Sequence, residues 1–134
     1  MTRVLPQPQM KELERSSVAG VRKALSVLGA VVAEVDRQLR YVWIDNPHPD
    51  FDPKAAVGKR DDELISRADA EEIMALKEDT FIGQMPISRI LSFKRTDGLR
   101  CYSLFAYPIR EVSGKVDTIL TVGFDVPGPT VDRK

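Results

Sequence analysis

One histidine stands among three aspartates in the stretch Asp45-Asn-Pro-His48-Pro-Asp50-Phe-Asp52. Imidazole and carboxylates together could hold a divalent ion. Carboxylates in a Pro-rich loop also cap turns, and a loop histidine beside them needs no metal; that reading is adopted, and no metal site is expected. Glu71-Glu72 and Glu78-Asp79 are carboxylate pairs of the kind used in general acid–base chemistry. Neighbours along a helix point apart, so these pairs suit a solvated helix face instead. Asp61-Asp62-Glu63 beside Lys59-Arg60 reads as a charged surface turn. Cys101 as a nucleophile would need a base nearby, and His48 is the only histidine. No catalytic residue is expected, and the chain is read as a non-enzyme.

Binding chemistry is better represented. Arg89 falls among Ile87, Leu91 and Phe93 on one side of a strand pattern. A guanidinium on an apolar face needs a partner, either a structural carboxylate or an acidic ligand. Trp43, Ile73, Met74, Phe81, Tyr102 and Leu104 could wall a cleft or fill a solid core. The candidate ligand-binding set is Trp43, Ile73, Phe81, Arg89, Phe93, Tyr102, Leu104 and Thr121.

The elements that would position these residues follow from periodicity. Between Gln9 and Leu28, Met10, Leu13, Val18, Val21, Leu25 and Leu28 recur at helical steps, and Gly29 is placed to end the helix. Val31 to Asp36 and Tyr41 to Asp45 alternate as strands around an Arg37–Arg40 turn. Asn46-Pro-His-Pro-Asp-Phe-Asp-Pro53 cannot be regular, because its prolines remove donors and restrict their predecessors. Asp52-Pro53 starts a short helix through Ala56. A central helix runs from Asp69 to Ile82, capped by Ser66 or Asp69 and followed by Gly83. Ile87–Arg95, Arg100–Ile109 and Val116–Asp125 are strands joined through a Thr96-Asp97-Gly98 turn, whose Asp-Gly pair signals a hairpin, and through Gly114. The result is an α+β domain with a five-stranded antiparallel sheet.

Both faces of this sheet look apolar. Tyr102, Leu104 and Ala106 alternate with Cys101, Phe105 and Tyr107; Ile119, Thr121 and Gly123 alternate with Leu120, Val122 and Phe124. A sheet wet on one side should alternate apolar with polar, so two covers are expected. The central helices supply one; the N-terminal helix or a second copy of the chain supplies the other. The expected interface set is Leu13, Val21, Leu25, Leu28, Phe105, Tyr107, Leu120, Val122 and Asp125.

At 134 residues, with 43% hydrophobic and 30% charged residues, the chain is sized for one soluble domain. Lys+Arg and Asp+Glu balance at 20 each, so no net field favours nucleic acid or an anionic membrane. No apolar run approaches a membrane span, and Met1–Gln9 lacks the apolar core of a signal peptide. The single Cys101 suits a reducing compartment, and a cytoplasmic location is expected.

The order of elements resembles a PAS domain, most closely those of bacterial sensor histidine kinases, over roughly residues 29–126. The resemblance rests on Val31–Asp36, Leu39-Arg-Tyr-Val-Trp-Ile-Asp-Asn-Pro47, Val57-Gly-Lys59, Lys94-Arg-Thr-Asp-Gly98, Tyr107-Pro-Ile109 and Val122-Gly-Phe-Asp-Val126. It implies a five-stranded antiparallel sheet with helices over one face, a small cleft between them, and a signalling role for Asp125 at the end of the last strand. Pro127 and Pro129 stand where the family continues into a helix, which moves the expected signalling and dimerisation role to the N-terminal helix. It also implies no cofactor here. The central helical region has no cysteine for a flavin adduct, residues 69–82 have no histidine for haem, and Phe93, Tyr102 and Gly123 cannot replace flavin-binding amides. The expected organisation is a lead-in and amphipathic helix over 1–28, a PAS-like domain over 29–126 and a polar tail over 127–134. The expected function is a sensory module acting through homodimerisation, with a signalling partner such as a kinase. The alternatives are a ligand-free scaffold and a small α+β cone-shaped isomerase or hydrolase, for which Arg89, Tyr102 and Thr121 offer polar groups without a clear carboxylate.

Overall fold

A computed structural model describes residues 18–127. Leu13 and the rest of the expected helix before residue 18, and the tail after Pro127, lie outside the described residues. Helix α1 covers 18–27 and ends where Gly29 takes a positive φ of 84°. That conformation costs glycine little and lets the Ala30 N–H reach the Leu25 carbonyl at 2.9 Å. Strands β1 (Val31–Val35) and β2 (Tyr41–Asp45) follow, joined by a turn organised by one carboxylate. Asp36 Oδ1 accepts from the backbone N–H groups of Gln38 and Arg40 at 2.9 and 3.0 Å. Helix α2 (Pro53–Ala56) has Asp52 as its N-cap and proline at its start, as the Asp-Pro step predicts.

Helix α3 (Arg67–Gly83) is slightly longer than its periodicity predicts. Ser66 is its N-cap. Its end is set by Gln84 in the left-handed region rather than by Gly83, which is helical. Gln84 tolerates this because its N–H reaches the Thr80 carbonyl and its own carbonyl accepts from Arg110 at 2.7 Å. Strands β3 (Ile87–Arg95), β4 (Gly98–Arg110) and β5 (Val116–Val126) complete the fold.

All five strands form one antiparallel sheet in the order β2-β1-β5-β4-β3. Its inner face carries Val35, Tyr102, Leu104, Ala106 and Ile119, which pack with Ala70, Met74 and Leu76 of α3 into the core. The outer face is less completely shielded. Val32 is buried, Leu120 and Val122 are partly covered, and Phe105 and Tyr107 remain 50% and 56% exposed. Two apolar faces are therefore present, and among the described residues the second is only partly covered.

The register of β2 overturns one expectation from alternation. Val35 pairs with Tyr41 and Glu34 with Trp43, so an irregularity leaves Val42 without a partner position. An extra residue in one strand reverses the facing of all that follow it. Tyr41 points into the core, while Trp43 lies on the outer side and donates from Nε1 to Glu34 at 2.9 Å.

Candidate cavity between sheet and lid loop

The inner face of the sheet meets the Asn46–Pro53 loop and α3 around a cavity of about 60 Å³. That is room for a few water molecules or a small organic molecule. Its sheet side is built from Val31, Ile44, Phe93, Tyr102, Leu104 and Gly123, and its cover from Pro47, His48, Phe51, Ile65 and Ile73. Gly123 opens this space directly. A Cβ there would lie 2.7 Å from Leu104 Cδ2, so any larger residue pushes Leu104 aside.

The loop is held over the cavity by hydrogen bonds to the β3–β4 turn. Asp50 accepts from the Thr96 backbone N–H at 2.9 Å and from Thr96 Oγ1 at 2.5 Å. These bonds hold the Asp50 carboxyl below its usual pKa. His48, whose side chain is 6% exposed, accepts the Asp50 N–H on Nδ1 at 3.1 Å and meets Asp97 through Nε2 at 3.0 Å. That pattern assigns the proton to Nε2 and leaves neither ring nitrogen free for a metal. Asp97 also accepts from Arg100 Nη2 at 2.6 Å. Arg100 first, and His48 second, hold the Asp97 carboxyl far below the ordinary range. Arg100 pairs in turn with Asp125 near the end of β5. No group of three or more His, Cys, Asp or Glu side chains among the described residues is placed to hold a metal ion.

Tyr41 and Asp61, which also line the cavity, belong to a buried polar triad. Lys77 Nζ donates to Asp61 Oδ2 at 2.6 Å and to Tyr41 Oη at 3.1 Å, and Tyr41 Oη donates to Asp61 Oδ1 at 2.5 Å. The Lys77 and Asp61 side chains are 0% and 2% exposed. Burial above all, reinforced by the Asp61 charge, pushes the Tyr41 phenol well above 10.0. The expectation of a charged surface turn at Asp61 is therefore corrected: Asp61 begins a 3₁₀ turn (Asp61–Glu63) that turns its carboxylate inward. Sequence reasoning missed this triad. The available signal was Lys77 itself, which shares a helix side with the buried Ala70, Met74 and Thr80.

Arg95, at the end of β3, supplies the cation that lines the cavity. Its guanidinium carbon lies 5.2 Å from the Phe51 ring centroid and 5.0 Å from that of Phe93. Its Nη1 reaches the Lys94 carbonyl at 3.2 Å, and its buried Nε has no hydrogen-bond partner among the described residues. Burial raises the Tyr102 phenol, an effect the nearby Arg95 charge opposes.

Of the sequence-selected ligand residues, Ile73, Phe93, Tyr102 and Leu104 line this cavity. Trp43 lies outside it on the outer face, for the register reason given above. Arg89 pairs with Asp79 of α3 at 2.6 Å, the structural alternative for that guanidinium. Phe81 packs partly buried against the core, and Thr121 is buried with its hydroxyl 3.5 Å from the Ala33 carbonyl. Neither lines the cavity. Cys101 is buried and 3.2 Å from Ser92 Oγ, with no histidine beside it.

The outer face carries a second concavity, almost wholly apolar, between α1 and the sheet. Val18, Val21 and Leu25 face Val32, Trp43, Leu120 and Val122 across it. Arg22 anchors the helix: Nε and Nη2 donate to Asp45 at 2.6 and 2.7 Å, and its guanidinium carbon lies 4.0 Å from the Trp43 ring centroid. Of the interface candidates, Val21 lines this groove and is exposed, Leu28 is exposed after the end of α1, and Asp125 is engaged by Arg100.

Comparison with known proteins agrees with this architecture. No curated protein matches the sequence. Among solved structures, the PAS domain of a Colwellia psychrerythraea protein superposes with a TM-score of 0.65 at 15% identity, covering 81% of this chain and 96% of that one. The sensory box sensor histidine kinase structure from Vibrio cholerae gives 0.59 at 16% identity, covering 89% and 98%. VqmA of Vibrio cholera, in a ligand and DNA complex, gives 0.64 at 15% identity over 77% of this chain but only 50% of that chain. At these identities the likenesses show the fold alone. No helix of the described residues is long and apolar enough to cross a membrane. Residues 25–127 match the family described as the PAS fold; with the five-stranded antiparallel sheet, its helical cover and the cavity between them, the chain belongs to that sensory-domain family.

Proposed function

We propose that this PAS domain is a ligand-responsive signalling module without catalysis of its own, paired through α1 and the outer sheet face. The observation that carries the reading is the cavity, because the loop covering it is also tied to the end of β5. A ligand that touches His48 or Phe51 shifts the loop, and the Asp97–Arg100–Asp125 ion pairs share that loop's hydrogen bonds. Ligand acts by favouring one of two loop arrangements, in proportion to its differential affinity for them. The outer face, where Phe105 and Tyr107 stay exposed beside an apolar groove, suits a second copy of the chain. The partner that receives the signal is a protein of the sensor histidine kinase type, the setting of one of the similar structures. Balanced charge gives no support for a nucleic-acid surface on this domain, and a cytoplasmic setting fits the reading.

Native mass spectrometry with gel filtration, on the wild type and on Val122→Glu, tests both halves. The reading expects a dimer that the substitution dissociates, and a small molecule retained by, or added to, the folded protein. A strict monomer with no ligand response would overturn it. The modest cavity volume favours one second reading, a protein-interaction scaffold with water in its core. Dimerisation without any ligand response would select that alternative.

A further inference from the structure

Five arginines among the described residues are half-buried: Arg22, Arg60, Arg89, Arg95 and Arg100. Four have a carboxylate partner, at 2.6 Å for Arg22–Asp45, Arg89–Asp79 and Arg100–Asp97 and 3.5 Å for Arg60–Asp62. Arg95 has none, and it is the one that lines the cavity. The carboxylates around it are committed elsewhere: Asp50 to Thr96, Asp97 to His48 and Arg100, Asp61 to Lys77 and Tyr41. Lys77 and Asp61 neutralise each other. The Asp50 charge acts on Arg95 through space, yet no carboxylate among the described residues forms an ion pair with the Arg95 guanidinium. Its charge acts on Tyr41 and Tyr102, which line the cavity with it.

We propose that the cavity takes a small organic monocarboxylate with a flat apolar body, its carboxylate on the Arg95 guanidinium and its body against Phe51, Phe93 and Tyr102. This rests on the reading of the cavity as the ligand site and names the chemical class it selects. A guanidinium presents a planar fork of donors that matches a carboxylate, and the buried, unpaired Nε is one such donor. Phe93 and Tyr102 stand 5.8 Å apart between centroids, with their planes inclined at 48°, and offer aromatic surface for a flat body. A phosphate fits less well, because it needs further donors and Arg95 is the one cation lining the cavity among the described residues.

The test is titration calorimetry on the full chain with benzoate, phenylacetate and cyclohexanecarboxylate, each against its primary amide, and with phenylphosphonate. The proposal expects at least one carboxylate to bind, at least tenfold tighter than its amide and than the phosphonate. Arg95→Gln should abolish that preference, Arg95→Lys should keep part of it, and Arg89→Gln should leave it intact. Amides binding as well as acids, a preferred phosphonate, or a carboxylate preference that survives Arg95→Gln would overturn the anion assignment while keeping the cavity as a ligand site. No binding by any compound would overturn the assignment and the ligand-site reading together.

Discussion

Lys77 on α3 and Asp61 on the 3₁₀ turn form an ion pair of 2.6 Å that is almost wholly removed from solvent, closed by the Tyr41 hydroxyl. It joins the central helix, the segment that enters it and the β2 edge of the sheet. Every heteroatom in it has a partner, which is the condition under which buried charge is tolerated. The cavity lining at Tyr41 and Asp61 is thereby fixed by charge, while Arg95, which lines the same cavity, has no ion-pair partner among the described residues.

Removing one member of the pair should be costly. Lys77→Met leaves the Asp61 carboxylate buried without its cation, and a loss of about 3–5 kcal/mol is expected from such a change. Urea unfolding followed by circular dichroism measures it. The double variant Lys77→Met with Asp61→Leu should recover most of that loss, since two apolar groups leave no stranded charge.

The same triad predicts an alkaline limb of stability. The Tyr41 phenol is raised in the folded state above its unfolded value of about 10, so the unfolded chain releases its proton first as pH rises. Its contribution is complete below about pH 10 and is lost as pH climbs from there toward the folded pKa. Urea midpoints between pH 8 and about pH 11 should fall more steeply for the wild type than for Tyr41→Phe. Parallel slopes would show that Tyr41 is not the titrating group.

Gly123→Ala should shrink the cavity more than it harms the fold. The new methyl meets the far end of Leu104, a side chain that can rotate toward the space both residues line. Overpacking of this kind costs about 1–3 kcal/mol, and the ability to turn aside places this case at the lower end. Thermal melts together with the carboxylate titration give both quantities. Unchanged affinity with lowered stability would separate Gly123 from the site.

Arg22→Gln should loosen α1 without unfolding the sheet. The Arg22–Asp45 pair is partly exposed, so it contributes about 0–1 kcal/mol, and stacking on Trp43 adds about 0.5–1. Hydrogen exchange should accelerate across residues 21–27, with protection of β4 and β5 unchanged. Equal protection in both proteins would mean that the apolar groove alone holds the helix.

What local chemistry dictates was legible. The β4 and β5 alternations gave the two faces, because strand side chains must point to opposite sides. The Asp52-Pro53 helix start and the positive-φ Gly29 followed from short-range constraints, as did a hairpin near Asp97-Gly98, whose turn residues are Thr96 and Asp97 with Gly98 opening β4 opposite Arg95. Of two cations at the same parity on β3, Arg89 drew attention for its apolar neighbours, whereas Arg95 stood beside a turn and looked ordinary. The Arg22 contact with Asp45 and Trp43 spans residues too distant in sequence for periodicity to pair them.

The amino-acid order determined the elements, their antiparallel pairing and the family, since hydrophobic period, glycine and proline act within a few residues. Tertiary structure decided which charges are buried and which are left unpaired. Lys77 is hidden because Asp61 and Tyr41 arrive from other elements, Trp43 turns outward because one strand carries an extra residue, and Arg95 is unmatched because the carboxylates near it are taken. Burial of a charge depends on the partner it meets, and that partner is chosen only when the chain has closed on itself.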